Sequence, residues 1–173
     1  MKLFHISEEP EIKIFHPRPS PQFYDSVKGD VVFAISEKLL HNYLLPRDCP
    51  RVTYYKGINT SEKDTAQFFG NSNADYIINV EECRKEKIWS VKLYKYEFSP
   101  KNFVLLDETA GYYVSSKSEI PVEVTEITNV SDEISKKNIE LRFLPEIQSL
   151  AKEVAKSTLN FSIIRMGNSV TNS

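Results

Sequence analysis

Glycine is scarce in this chain, with five residues in 173, and none falls into GxGxxG or GxxxxGK[ST] spacing. Those spacings let backbone amides cradle phosphates at the start of a helix, so the dinucleotide fingerprint and the P-loop are both missing. The three histidines, His5, His16 and His41, lie far apart, and there is no HExxH. No metal site is expected from them. There is no GxSxG elbow either, which argues against an α/β-hydrolase. Of the two cysteines, Cys49 and Cys83, neither belongs to a CxxC pair, and two inert thiols are expected rather than a disulfide.

Positive charge shows no excess. Lys and Arg number 22 against 24 Asp and Glu, a formal charge of −2. Proteins that grip nucleic acid by neutralising phosphates carry a basic excess, so nucleic acid is a disfavoured partner. No stretch approaches the roughly 18 apolar residues that a membrane helix needs. The opening MKLFHISEEP turns acidic too early for a secretory leader. Together these features predict a cytoplasmic protein.

What is present is ordinary in charge and rich in rings: 40% hydrophobic and 12% aromatic, with ten Phe and nine Tyr. Aromatics pack well on pleated surfaces and favour a sheet-rich core. Short strands are predicted over KLFHI, VVFAIS (central, being continuously apolar), Arg51–Lys56, DYIINVEE, KIWSVKLYKYEF, FVLLDE, GYYVS, SEIPVEVTEI, IELRFL and FSIIRM. Pro121 argues for an edge position. Ser36 and Ser61 start helices, the second with Asp64 in a capping box that Gly70 closes. Pro145 opens a longer carboxy-terminal helix over PEIQSLAKEVAKSTL. The reading is a single α+β domain over 1–166: an antiparallel-rich mixed sheet, a few short helices and one longer helix. Residues 167–173 form a flexible tail. The proline-rich loop from Pro17 to Gly29 lies on the surface, with its role as a lid left open.

The stretch YLLPRDCPRVTYY holds the first candidate site. Pro46 and Pro50 stiffen the turn, so Arg47 and Arg51 are held at fixed spacing. Guanidinium forks suit phosphate and carboxylate. The alternative is structural, with Asp48 or the arginines stitching the turn to the body. His5 sits mid-strand between Phe4 and Ile6, either as a packed strand histidine or as a catalytic acid or base. Glu119 and Glu123, read as one extended strand, stand about 13 Å apart. That is too far for a glycosidase pair. Arg142 and Arg165 lie in apolar strands and need partners, Glu140 among them.

The strings LFHISEEPEIKIFHPRPSP, VVFAIS, HNYLLPRDCPRV, AGYYVS, IELRFLP and STLNFSIIRM resemble a family of bacterial proteins of Bacillus type to which no activity is assigned. The first third also resembles the opening of ADP-ribosyltransferase-like folds. That resemblance implies an NAD-binding cleft, or at least one for an anionic small molecule or nucleotide. His5 would hold the nicotinamide-side ribose, Glu119 (less surely Glu123) would orient it, and an aromatic would stack on the nicotinamide. Phe33, Ser36 and Tyr43 are the candidates for the third role. The cleft so implied is lined by His5, Tyr43, Arg47 and Arg51. The rival reading is a small-ligand or protein-interaction domain without chemistry.

Overall fold

Apolar runs of four to six residues separated by polar turns dictate many short strands, and ten form among the described residues: β1 (Leu3–Ser7), β2 (Val32–Ser36), β3 (Arg51–Tyr55), β4 (Tyr76–Glu81), β5 (Leu93–Phe98), β6 (Val104–Asp107), β7 (Tyr112–Ser115), β8 (Glu123–Ile127), β9 (Ile139–Leu144) and β10 (Asn160–Ile164). Helices are brief: α1 (Glu62–Asp64), which runs on as a π-helical turn over Thr65–Phe69, then α2 (Lys85–Ser90), α3 (Val130–Ser135) and α4 (Gln148–Val154). The computed structural model describes residues 1–20 and 24–170. Part of the Pro17–Gly29 loop and the last three residues of the tail lie outside that range. The fold is α+β. No helix among the described residues is long and apolar enough to cross a membrane.

The chain forms two compact units, Met1–Tyr43 with Lys92–Thr128, and Leu44–Val91 with Asn129–Ser173. The first unit carries a six-stranded antiparallel sheet ordered β6-β7-β2-β1-β5-β8. VVFAIS is interior to it, as its continuous apolar run requires, and β8 after Pro121 is an edge. One face buries Leu3, Val32, Ala34, Tyr96 and Phe98 together with Phe103. A strap from Glu9 to Arg18 crosses this face. Tyr96, fully buried on β5, clasps its start: Oη donates to Glu9 O at 2.7 Å and accepts from Ile12 N at 3.1 Å. Glu11 between those contacts has φ +57°, so the hydroxyl holds a left-handed turn that a non-glycine residue adopts at a cost.

The second unit carries a sheet ordered β10-β3-β4-β9, with β4 and β9 parallel and the other pairs antiparallel. Val52, Tyr54 and Ile77 on this sheet pack against Phe68 and Phe69 of the π-helical turn, against Ala151 and Val154 of α4, and against Ile147 just before it. The Ser61 cap forms as its spacing predicts, Ser61 Oγ accepting from Asp64 N at 3.1 Å, and Gly70 ends that segment at φ +57°.

Three expectations are corrected. The long carboxy-terminal helix is one of seven residues, beginning three residues after Pro145. It stops because Lys156 N and Ser157 N bond back three residues, to Glu153 O and Val154 O, and Ser157 Oγ takes the Val154 carbonyl at 2.7 Å. The strand drawn over 87–98 divides into α2 and β5, since Ile88 is buried in helix while Trp89 is 41% exposed. Short apolar runs fit either period, and here tertiary burial decides. The segment after Ser36 is a 3₁₀ helix, Glu37–Tyr43, with four consecutive buried residues, Leu39 to Asn42, where an amphipathic helix would alternate. At the tail, Val170 N donates to the buried Glu81 carboxylate at 2.7 Å, so the chain is hydrogen-bonded to its unit as far as that residue.

Replacing Tyr96 by Phe removes both strap contacts while keeping the ring. The expected loss is about 1–2 kcal/mol in urea unfolding, with faster amide exchange at Ile12, because a partly buried carbonyl and amide lose their shared partner.

Candidate functional site

The central sheet of the first unit does not stay zipped. β1 pairs with β5 over all five residues, from Leu3↔Phe98 to Ser7↔Tyr94. Against β2 it pairs only at Leu3↔Ser36 and Phe4↔Ile35, while β2 continues along β7 back to Val32. From His5 onward the two strands part. The His5 ring turns into the parting, with Nδ1 3.2 Å from Phe33 O, which it donates to in the Nδ1–H tautomer. A side chain thus meets the carbonyl at the point where the ladder has stopped.

On the His5 face stands Phe15 of the strap. Its ring lies 4.9 Å from His5, 5.1 Å from Tyr96 and 5.0 Å from Phe98, centroid to centroid. Its backbone exchanges both hydrogen bonds with Glu119, 2.8 and 2.9 Å. Glu119 is 6% exposed, and its carboxylate accepts from Ser115 Oγ at 2.5 Å and from Asn102 Nδ2 at 3.5 Å. The structure therefore brings His5 and Glu119 to one sheet face, linked through Phe15. It does not set Glu119 and Glu123 on one regular strand: β8 begins at Glu123, and Glu119 precedes it beyond Pro121. Glu123 is exposed.

The opposite face of the parting is aromatic. Phe33 and Tyr112 meet edge to face at 6.1 Å, and Tyr43 and Tyr112 at 6.3 Å, with the two hydroxyls hydrogen-bonded. All three rings are half-buried, which leaves them accessible to a planar partner. Tyr24 lies within electrostatic reach, its phenol pushed above the usual range by burial and by neighbouring Tyr112 and Asp107. Of the three stacking candidates, Phe33 and Tyr43 converge on Tyr112. Ser36 is used otherwise: Gly111, at φ +70°, has no room for a side chain because Ser36 Oγ stands 2.6 Å from where its Cβ would be.

Arg47 and Arg51 belong to the second unit. Arg51 is 2% exposed and donates from Nη1 to Cys49 O at 2.8 Å and to Pro46 O at 3.2 Å. The PRDCPR turn is thus stitched by its own arginine. The Asp48 carbonyl accepts from Asn168 Nδ2 at 3.0 Å, and Arg47 is exposed. Cys49 is buried, which pushes its thiol up, while Cys83 is exposed, and both are free. Arg142 finds the expected partner: Nε donates to Glu140 Oε1 at 2.7 Å, and Nη1 to Phe68 O at 2.8 Å and Tyr54 Oη at 3.2 Å.

The second unit also has an open cavity of about 240 Å³ beside Lys63, Gln67, Glu153 and Lys156. Its Asp64 carboxylate is already engaged by Thr158 N at 2.7 Å and Thr158 Oγ1 at 2.5 Å, bonds that hold it below the usual carboxylate range. Among the described residues no group of three or more His, Cys, Asp or Glu is arranged to hold a metal ion.

Phe15, Ser115 and Asn102 were not singled out from the sequence. Nothing local marks them, since Phe15 sits in a proline-rich loop and reaches Glu119 across more than a hundred residues of chain.

Fold and site together define a β-rich α+β protein whose antiparallel sheet opens at a histidine. The chain belongs to a family of unknown function (DUF6886), whose model matches residues 4–169 and so spans both units. No curated protein and no solved structure matches it.

Two outcomes follow from the arginines. Arg51→Met should lower stability by about 2–4 kcal/mol, measured by chemical denaturation, because two carbonyls lose a charged donor in a buried turn. Glu140 has its carboxyl held below the usual range by the Arg142 bond and then by the Ser72 hydroxyl. Its folded pKa is depressed, so its contribution is present above the ordinary carboxylate value and is lost as pH falls through the folded value. A Glu140→Gln variant should accordingly show a flatter fall of melting temperature on the acid side than the parent protein.

Proposed function

We propose that the first unit binds a nucleotide with a planar, amide-bearing base, NAD being the ligand that the transferase resemblance implies. The observation that carries this reading is the parting of β1 and β2 at His5. Parted strands present backbone donors and acceptors at one edge, and a carboxamide offers one of each in matching geometry. The half-buried rings of Phe33, Tyr112 and Tyr43 supply a stacking wall on one side. His5 supplies a ring nitrogen at the opening itself.

Glu119 is the proposed group for polarising a ribose hydroxyl or acceptor in an NAD-consuming transfer. Ser115 and Asn102 then act as the residues that hold its carboxylate in one rotamer. The same bonds favour a second reading, binding without turnover, because they occupy the carboxylate and leave it only 6% exposed. Arg47 and Arg51 belong to the second unit, and Arg51 donates to the carbonyls of its own turn.

A thermal-shift titration with NAD, ADP-ribose and nicotinamide tests the binding. At about a hundredfold the dissociation constant, NAD should add roughly 2.7 kcal/mol, a shift of several degrees for a chain of this size. The shift should vanish in His5→Ala and shrink in Phe33→Ala. No shift with any of the three sinks the proposal. Nicotinamide release from NAD, abolished in Glu119→Gln, would establish the transfer reading, whereas binding with no release would leave the second.

A further inference from the structure

Beyond β10 the chain changes its manner of attachment. Arg165 has φ +58°, a left-handed conformation that a non-glycine residue adopts at a cost. The arm that follows, 166–170, is one 3₁₀ turn, Met166–Asn168, and two further residues. None of its side chains is fully buried. Met166 is half-buried against the core of the second unit, and Val170 is 42% exposed.

Hydrogen bonds do the holding, and two of them come from one pair of opposite charges. Arg84 Nη2 donates to Asn168 O at 2.7 Å, and Val170 N donates to Glu81 Oε1 at 2.7 Å. Glu81 ends β4, and Arg84 follows in the 3₁₀ turn Glu82–Arg84. The carbonyl and the amide so gripped flank Ser169, which is extended at φ −72° and ψ 152°. Two outer bonds add to them, Asn168 Nδ2 to Asp48 O at 3.0 Å and Gln148 Nε2 to Ser169 Oγ at 2.8 Å.

The two charges do not close on each other. Arg84 Nε stands 3.7 Å from Glu81 Oε2, beyond hydrogen-bond range, and neither of these buried atoms has a hydrogen-bond partner in the protein. Glu81 is wholly buried, and the arm lies directly on it through Val170 N. Seating the arm therefore keeps a carboxylate oxygen from bulk water without giving it a protein donor, which is costly. Lifting the arm readmits water to the carboxylate and relieves Arg165. Both gains offset the hydrogen bonds that are lost.

We propose that residues 166–170 are a hinged arm, seated in a main-chain clamp made by Glu81 and Arg84, that swings out on Arg165 while the four-stranded sheet stays folded. Local opening of this kind belongs to segments with little buried apolar surface and hydrogen bonds near solvent. The clamp grips backbone groups alone, so it selects an extended path rather than particular side chains, and the arm is its internal occupant. The inference stands apart from nucleotide binding, since every residue it uses belongs to the second unit.

Trypsin acting on the native full chain reads the opening, because cleavage after Arg165 follows the population of the lifted arm. Release of residues 166–173, followed by mass, should precede cleavage after Arg51, which is 2% exposed in β3 and reports unfolding of the sheet. Val170→Pro deletes the amide that Glu81 takes, and Ser169 before it already has the extended backbone that proline demands. Release should become about tenfold faster, with cleavage after Arg51 unchanged. Arg84→Met should act in the same direction from the other half of the clamp. In the parent protein, release that only keeps pace with cleavage after Arg51 would mean that arm and sheet open together, and the proposal fails. It fails equally if the parent releases the arm as fast as Val170→Pro does, for then the clamp does not hold it.

Discussion

The first unit is organised around the position of one ring. Phe15 reaches over the sheet from a loop that has no regular structure, and it touches His5, Tyr96 and Phe98 at once. Fully burying a phenylalanine is worth about 1.5–3 kcal/mol and Phe15 is half-buried, so its ring holds the loop only because the backbone on either side is also satisfied. Tyr96 Oη takes Glu9 O and Ile12 N ahead of the ring, the Glu119 bridge takes the backbone at the ring, and the Arg18↔Val31 bridge follows it. The strap is in effect a covering layer, which lets a single sheet bury one face without a long helix. Remove the ring, and His5 and the Glu119 bridge lose their common support together.

Much of this was written in local pattern. The continuous run VVFAIS became the interior strand, Pro121 marked an edge, and Ser61 with Asp64 capped a helix. The failures share a cause. Over 87–98 and 145–158 the side-chain period fitted two structures, and the choice fell to burial of Ile88 in one case and to a serine hydroxyl competing for a helix carbonyl in the other. Candidate site residues fared in the same divided way. His5 and Glu119 came to one face because strand alternation and a bridge both place them there. Arg51 points into its own turn, where Nη1 donates to two backbone carbonyls.

Buried charge is handled consistently across both units. Arg51 and Arg142 each take backbone carbonyls as acceptors, at Pro46 and Cys49 and at Phe68, and Arg142 also takes the Glu140 carboxylate. Glu81 accepts a backbone amide from Val170, and Glu119 accepts hydroxyl and amide donors. Main-chain and neutral partners are fixed in place by the fold, so satisfying a charge with them needs little extra ordering of long side chains. The consequence for function is that a buried ionic group here is, by itself, a poor marker of chemistry.

Sites of action are better sought where a sheet ladder stops than where a charge is buried. Two such places occur in the same sheet. At His5 the ladder between β1 and β2 stops with both strands continuing, and at β8 it ends with an unbroken register and an aliphatic surface. Neither has a motif, because the groups concerned are amides and carbonyls that every residue carries. A sequence shows where a strand runs; whether its neighbour stays alongside depends on residues far away, such as Phe15 and Arg18 holding the strap against Glu119 and Val31. Searching this chain for paired carboxylates, phosphate loops or metal spacing therefore looks past the two places where its sheet stops pairing.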